Sequence, residues 1–176
     1  MWKNAEFKFY LFVVLAFTLF IMIELMLYNG YDVEKAFRCG IFQVVSFITT
    51  TGMFNDDAAK WPHITWVVLA TCMFLGACSG STSGGFKSIR SLMIIKIIRN
   101  EFKQILHPNA VLPMHIDGAS ISQQKRITLL AYLAVYLMLC LVSSFIIIEA
   151  GVDNTNAINI VLSSIGNVGP TLGIEI

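Results

Sequence analysis

Residues 42–53 read Phe-Gln-Val-Val-Ser-Phe-Ile-Thr-Thr-Thr-Gly-Met, a short apolar run that stops in three hydroxyls and a glycine. A helix that crosses a bilayer needs about 20 apolar residues, so this stretch enters a membrane and turns back instead of spanning it. The rest of the chain supports a membrane setting: of 176 residues, 56% are hydrophobic and 13% charged, against roughly 25% charged in soluble domains. A glycine after threonines lacks the Cβ that penalises unusual dihedrals, so successive carbonyls at the turn can point one way. Rings of such carbonyls replace a cation's water shell in channel filters.

The neighbouring segments give the turn a context. Residues 9–28 read as a first transmembrane helix, retained and not cleaved as a signal peptide, and Asn29-Gly30 ends it. Glu24 lies near its outer end, and two readings are open: it faces a protein interior, or it is solvated at the interface. Residues 31–38 are polar, and residues 39–49 form a short re-entrant helix leading to Thr50-Thr51-Gly52. Trp61 and Trp66 flank the next helix start, where interfacial aromatics often sit. Residues 64–78 are apolar but rise only about 22 Å, against a hydrocarbon core of about 30 Å. They lead into Gly-Ala-Cys-Ser-Gly-Ser-Thr-Ser-Gly-Gly (residues 76–85) and a second apolar half, residues 86–98. The glycine-serine loop is therefore expected at membrane depth, where irregular backbone must be buried in protein or line a watery cavity. The alternative is a tilted short helix ending in a cytoplasmic loop.

Charge placement orients these parts. Residues 86–126 carry seven Lys and Arg against Glu101 and Asp117, whereas residues 28–62 carry Lys35, Arg38 and Lys60 against four acids. The positive-inside rule places the first segment in the cytoplasm and the filter-like turn outside. A long apolar run, residues 127–148, then returns outward, and after Gly151 residues 157–165 are again short and apolar, ending in Gly166-Asn167-Val168-Gly169-Pro170. Long helix, polar turn, short helix and glycine turn thus occur twice, at an offset near 117, with a small loop difference between copies.

Other motifs fit poorly with catalysis. Gly80-Ser-Thr-Ser-Gly-Gly85-Phe-Lys87-Ser88 imitates a phosphate-binding loop, but Phe86 displaces the lysine and no strand precedes it. Gly76-Ala-Cys78-Ser-Gly80 imitates a nucleophile elbow without the strand-turn-helix setting. His63, His107 and His115 are scattered, and Cys39, Cys72, Cys78 and Cys140 read as free, small apolar residues. No basic stripe suggests nucleic acid. Lys87 beside an intramembrane loop is costly without a nearby acceptor.

Thr-Thr-Thr-Gly (49–52), Gly-Ala-Cys-Ser-Gly-Ser-Thr-Ser-Gly-Gly-Phe-Lys (76–87), His-Pro-Asn-Ala-Val (107–111) and Asn-Val-Gly-Pro (167–170) together resemble the Trk/Ktr/HKT superfamily of potassium transporters. The likeness is nearest to the bacterial TrkH/TrkG-type membrane subunit and covers nearly the whole chain. It implies an all-α membrane protein of helix–pore loop–helix repeats with potassium-channel-like architecture, of which about one and a half repeats are present. Residues 1–106 would be one repeat with a broken second helix, 107–126 a cytoplasmic connector, and 127–176 the first helix and pore loop of the next. Thr50, Thr51, Gly52 and Met53 would form one filter quadrant and Asn167, Val168, Gly169 and Pro170 another, with K⁺ held at Thr50, Thr51, Asn167 and Val168. Gly76, Ser79, Gly80, Ser81, Thr82, Ser83, Gly84, Gly85 and Lys87 would form the gate.

The resemblance further implies transport without covalent catalysis, potassium as cargo, and no organic cofactor in this chain. It implies a bacterial inner-membrane location, with the N-terminus and residues 86–126 cytoplasmic, and a homodimer. A cytoplasmic regulatory subunit that binds ATP, ADP or NAD would dock on the basic face near residues 87–126. Single filter glycines would make selectivity looser, so that Na⁺ also passes. Met53 and Val168 depart from the aromatic or leucine often found there. Two filter loops cannot encircle an ion, so the chain reads as a fragment that works with the remaining repeats. The rival expectation is a noncatalytic membrane scaffold whose glycine loop serves close helix packing.

Overall fold

The computed structural model describes residues 4–56, 60–106, 115–116 and 119–171. Helix α1 (Ala5–Asn29) is started by Asn4, whose side chain accepts from the backbone N–H of Glu6 and Phe7. It stops at Gly30, whose left-handed φ of 63° turns its N–H back to Leu25 O. Then follow α2 (Val33–Ile48), α3 (His63–Leu75) and α4 (Ser88–Leu106). A two-stranded antiparallel hairpin pairs β1 (His115–Ile116) with β2 (Ala119–Ser120), ahead of α5 (Gln123–Glu149) and α6 (Asn154–Gly166). Apart from that hairpin the described chain is helical, the fold of an all-α membrane protein. The His-Pro-Asn-Ala-Val motif at 107–111 lies outside the described residues.

Helices α1 and α5 are long and apolar enough to cross a membrane, and both expose large side chains such as Phe12, Leu27, Met138 and Phe145. An apolar exterior of this kind suits lipid or further protein, not water. The short helices pack α2 on α1 and α3, and α6 on α5 and α3. One core joins Ile21 and Leu25 of α1, Val44, Phe47 and Ile48 of α2, and Leu69 and Met73 of α3. A second, aromatic core gathers Phe74, Phe86 and Tyr136.

Three expectations change. Residues 33–38 are not a polar turn but the first turns of α2, whose Glu34, Lys35 and Arg38 project outward while Ala36 packs inward. Most of the length difference between Gly30–Gly52 and Gly151–Gly169 therefore lies in the re-entrant helix: 16 residues in α2 against 13 in α6, about one turn. Trp61 is buried in the protein instead of exposed on its surface, its indole N–H donating to Asp56 Oδ2, which also accepts from Tyr31 Oη. Glu24 is half-buried with Oε2 enclosed, which favours the inward-facing reading. All four cysteines are free thiols.

Asp153 begins α6 by accepting from the hydroxyl and the N–H of Thr155 (2.6 and 3.2 Å). Those bonds favour the ionised form and hold its carboxyl below the usual value of 3.8. A depressed folded pKa means the cap is fully present above the ordinary carboxylate range and is lost as pH falls through the folded value. In an NMR titration the Thr155 amide is expected to shift with a midpoint below 3.8, and Asp153→Ala should abolish the transition. A midpoint at or above the ordinary value would contradict the cap.

Candidate functional site

After α2 and after α6 the backbone makes the same turn, residue for residue, at an offset of 117. Thr50 and Asn167, neither of them glycine, both take left-handed φ (57° and 53°), and Gly52 and Gly169 both follow with positive φ. Thr50 N–H donates to Phe47 O and Asn167 N–H to Ser164 O, each at 3.2 Å. Thr51 N–H donates to Ser46 O (2.8 Å) and Val168 N–H to Ser163 O (2.9 Å). The buried hydroxyls of Ser46 and Ser163 then donate to Met53 O and Pro170 O, both at 2.7 Å. One difference follows from chemistry: Met53 N–H also donates to Ser46 Oγ (2.7 Å), which Pro170, having no N–H, cannot match.

The two turns touch. A Cβ on Gly52 would collide with the carbonyl oxygen of Val168 and the ring of Pro170, so only glycine lets the turns approach this closely. On their other side they are open: Thr51, Met53, Asn167 and Gly169 are exposed, and an apolar groove lined by Phe42, Val45, Thr49 and Met53 runs beside the first. The described residues contain no group of three or more His, Cys, Asp or Glu placed to hold a metal ion. Oxygen ligands at these turns are backbone carbonyls and hydroxyls, the donor type that suits a weakly hydrated monovalent cation.

The chain between α3 and α4 lies against the second turn. A Cβ on Gly84 would overlap the carbonyl of Gly166 and crowd Asn167, whereas Gly80 has open space around it. Several of the loop's backbone groups are paired locally. Phe86 N–H donates to Phe74 O (2.9 Å), Ser88 N–H to Ala77 O (3.1 Å) and Ser88 Oγ to Gly76 O (2.9 Å). Phe86 is 1% exposed and stacks on Phe74 with ring centroids 5.5 Å apart. Lys87, at a strained φ of 76°, spends its ammonium on its own loop: Ser81 O (2.8 Å), Ser83 O and Ser83 Oγ (3.2 Å). Glu6 holds the same loop from α1, accepting from the N–H and the hydroxyl of Ser79.

The sequence profile of TrkH, a cation transport protein family, matches residues 5–176. The chain belongs to the TrkH family. The Trk system potassium uptake protein TrkH of Salmonella typhimurium is 34% identical over 174 residues, which are 98% of this chain and 36% of that protein. TrkG of Escherichia coli K12, likewise a Trk system potassium uptake protein, is 27% identical over 171 residues, 97% of this chain and 35% of that one. The crystal structure of the potassium transporter TrkH from Vibrio parahaemolyticus superposes with a TM-score of 0.90 at 32% identity, covering 98% of this chain and 37% of that one. The chain thus spans little more than a third of these relatives' length. Its all-helical membrane-protein fold is the family's.

Within that TrkH architecture, the expected filter residues Thr50–Met53 and Asn167–Gly169 come together at one contact. Gly84 is drawn against the second of them and Gly85 against Met73 and Gly76, while Ser79 to Thr82 lie at the exposed side of the loop. Ser46, Ser163 and Glu6 were missed. A signal for the serines existed: at the same offset, Val44, Ser46, Ile48 and Gly52 repeat as Val161, Ser163, Ile165 and Gly169. Ser46→Ala leaves both polar groups of Met53 short of a partner, whereas Ser163→Ala orphans one carbonyl. In detergent unfolding, Ser46→Ala is expected to cost about 2 kcal/mol and Ser163→Ala about 1 kcal/mol. Equal losses would contradict the asymmetric turn.

Proposed function

We propose that this chain forms part of a potassium-uptake transporter, in which the turns at Thr50–Met53 and Asn167–Gly169 are two quadrants of a carbonyl filter for dehydrated K⁺. The observation that carries the reading is the matched pair of turns: one hydrogen-bond frame, repeated at a fixed offset, with the two copies in contact. The open groove beside Thr49 and Met53 is where a further quadrant, from repeats beyond this chain, would seat. Carbonyls of Thr50, Thr51, Asn167 and Val168 replace the ion's water, and single-glycine turns admit some Na⁺ as well.

In this reading the loop from Gly76 to Lys87 is the gate, because it packs against the second turn and is held by two charged groups instead of by a continuous helix. Residues 1–106 act as one repeat, 107–126 as a cytoplasmic connector, and 127–176 as the opening of the next. The transporter lies in the bacterial inner membrane as a homodimer, with residues 86–126 facing a cytoplasmic nucleotide-binding regulator. No covalent step is required of any side chain, and K⁺ is cargo.

The tight seat of Gly84 also favours a second reading, in which the loop only packs helices. Uptake of radiolabelled rubidium by a four-repeat transporter carrying these residues separates them. Overpacking costs about 1–3 kcal/mol, so Gly84→Ala should lift the loop and raise uptake by about tenfold with assembly intact, while Gly80→Ala changes nothing. Lost assembly in Gly84→Ala would support packing alone, and unchanged uptake would remove the gate.

A further inference from the structure

Glu6 is 7% exposed and reaches a loop 73 residues away in sequence. An acid in the first turn of a helix ordinarily serves the helix's own N-terminus. Here Asn4 already accepts from the N–H groups of Glu6 and Phe7, and the Glu6 carboxylate is directed elsewhere. Both of its oxygens are used on one residue: Oε1 accepts from Ser79 N–H and Oε2 from Ser79 Oγ (2.9 Å). Hydrogen bonds to an ionised acceptor are about twice as strong as neutral ones.

The rest of that segment is thinly held. Residues 79–82 are exposed, Gly80 has nothing near it, and the remaining bonds run within the loop: Ser81 N–H to Cys78 O, Ser83 N–H to Ser81 Oγ, and Lys87 to Ser81 and Ser83. Glu6 therefore ties this half of the loop to a separate helix, α1, that is itself long enough to span the membrane. The bland account, a carboxylate that merely stabilises the fold, predicts no special coupling to Ser79 or to ion flow.

We propose that Glu6 is a positioning residue that latches the intramembrane loop, through Ser79, against the second pore turn, and that its release speeds ion movement. The second clause rests on the gate reading above. The first does not.

Cys78, next to Ser79 and half-buried, is a native reporter, with buried Cys72 as the internal control. The protein in nanodiscs, open to reagent on both faces, is treated with a maleimide, and alkylation is followed at each cysteine by peptide mass spectrometry. Glu6→Ala is expected to speed Cys78 alkylation by about tenfold, as loss of a charge-assisted pair should, with Cys72 unchanged. Glu6→Asp keeps the charge but falls one methylene short, so it should speed Cys78 too. Ser79→Ala should speed it in the native background and add nothing to Glu6→Ala. Acceleration in Glu6→Ala and Glu6→Gln with Glu6→Asp behaving as native would mean that only the charge beside the thiol matters, and would overturn the latch. So would unchanged rates in all variants, or additive effects of Glu6→Ala and Ser79→Ala. Rubidium uptake by the four-repeat transporter is read in parallel. Faster alkylation with faster uptake supports the whole proposal. Faster alkylation with native uptake leaves the contact standing and overturns its role in ion flow, together with the gate reading.

Discussion

An interrupted helix leaves backbone N–H and C=O groups that must find other partners, and this structure depends on how it meets that constraint at three places. Helices α2, α3 and α6 each stop short, after Ile48, Leu75 and Gly166. In each case a few side chains take over from the interrupted helix. Ser46 and Ser163 reach forward to Met53 and Pro170. Ser88, Lys87 and Glu6 serve the loop after α3. The groups that make an irregular backbone tolerable are thus the same groups that aim it. A turn held from beneath by a serine presents its carbonyls in one fixed arrangement.

Two close approaches convert these local solutions into one site. Gly52 lies against Val168 and Pro170, and Gly84 against Gly166 and Asn167. The first turn meets the second, and the second meets the loop between α3 and α4, each at a glycine with no room for a Cβ. The approach of Gly84 to the Gly166 carbonyl leaves no space between the loop and the second turn. The aromatic group of Phe74, Phe86 and Tyr136 packs the far end of the loop, whereas residues 79–82 are exposed.

Much of this was legible in the residues. Short apolar runs ending in glycine announced both turns and the break after α3, because a run too short to span must turn within the membrane. The repeat was legible from the order of its parts. The extra turn of α2 was not, since Glu34, Lys35 and Arg38 read as loop when polarity alone is considered. They are helical because the same turns place Ala36 and Cys39 on the packed face and leave these three on the exposed one. The burial of Trp61 was not legible, because an aromatic at a helix start says nothing about Asp56, the partner that lets its indole be buried. Glu6 was invisible for a different reason: a contact across 73 residues leaves no local pattern.

The central claim is that the carbonyls at these two turns bind the transported ion. Anomalous diffraction from crystals of a four-repeat transporter carrying these residues, grown in rubidium or thallium, tests it most directly. The account predicts an anomalous peak within coordinating distance of the carbonyls of Thr50, Thr51, Asn167 and Val168, lost in Gly52→Ala. A well-ordered filter with its ion density elsewhere, or a peak indifferent to Gly52→Ala, would contradict it.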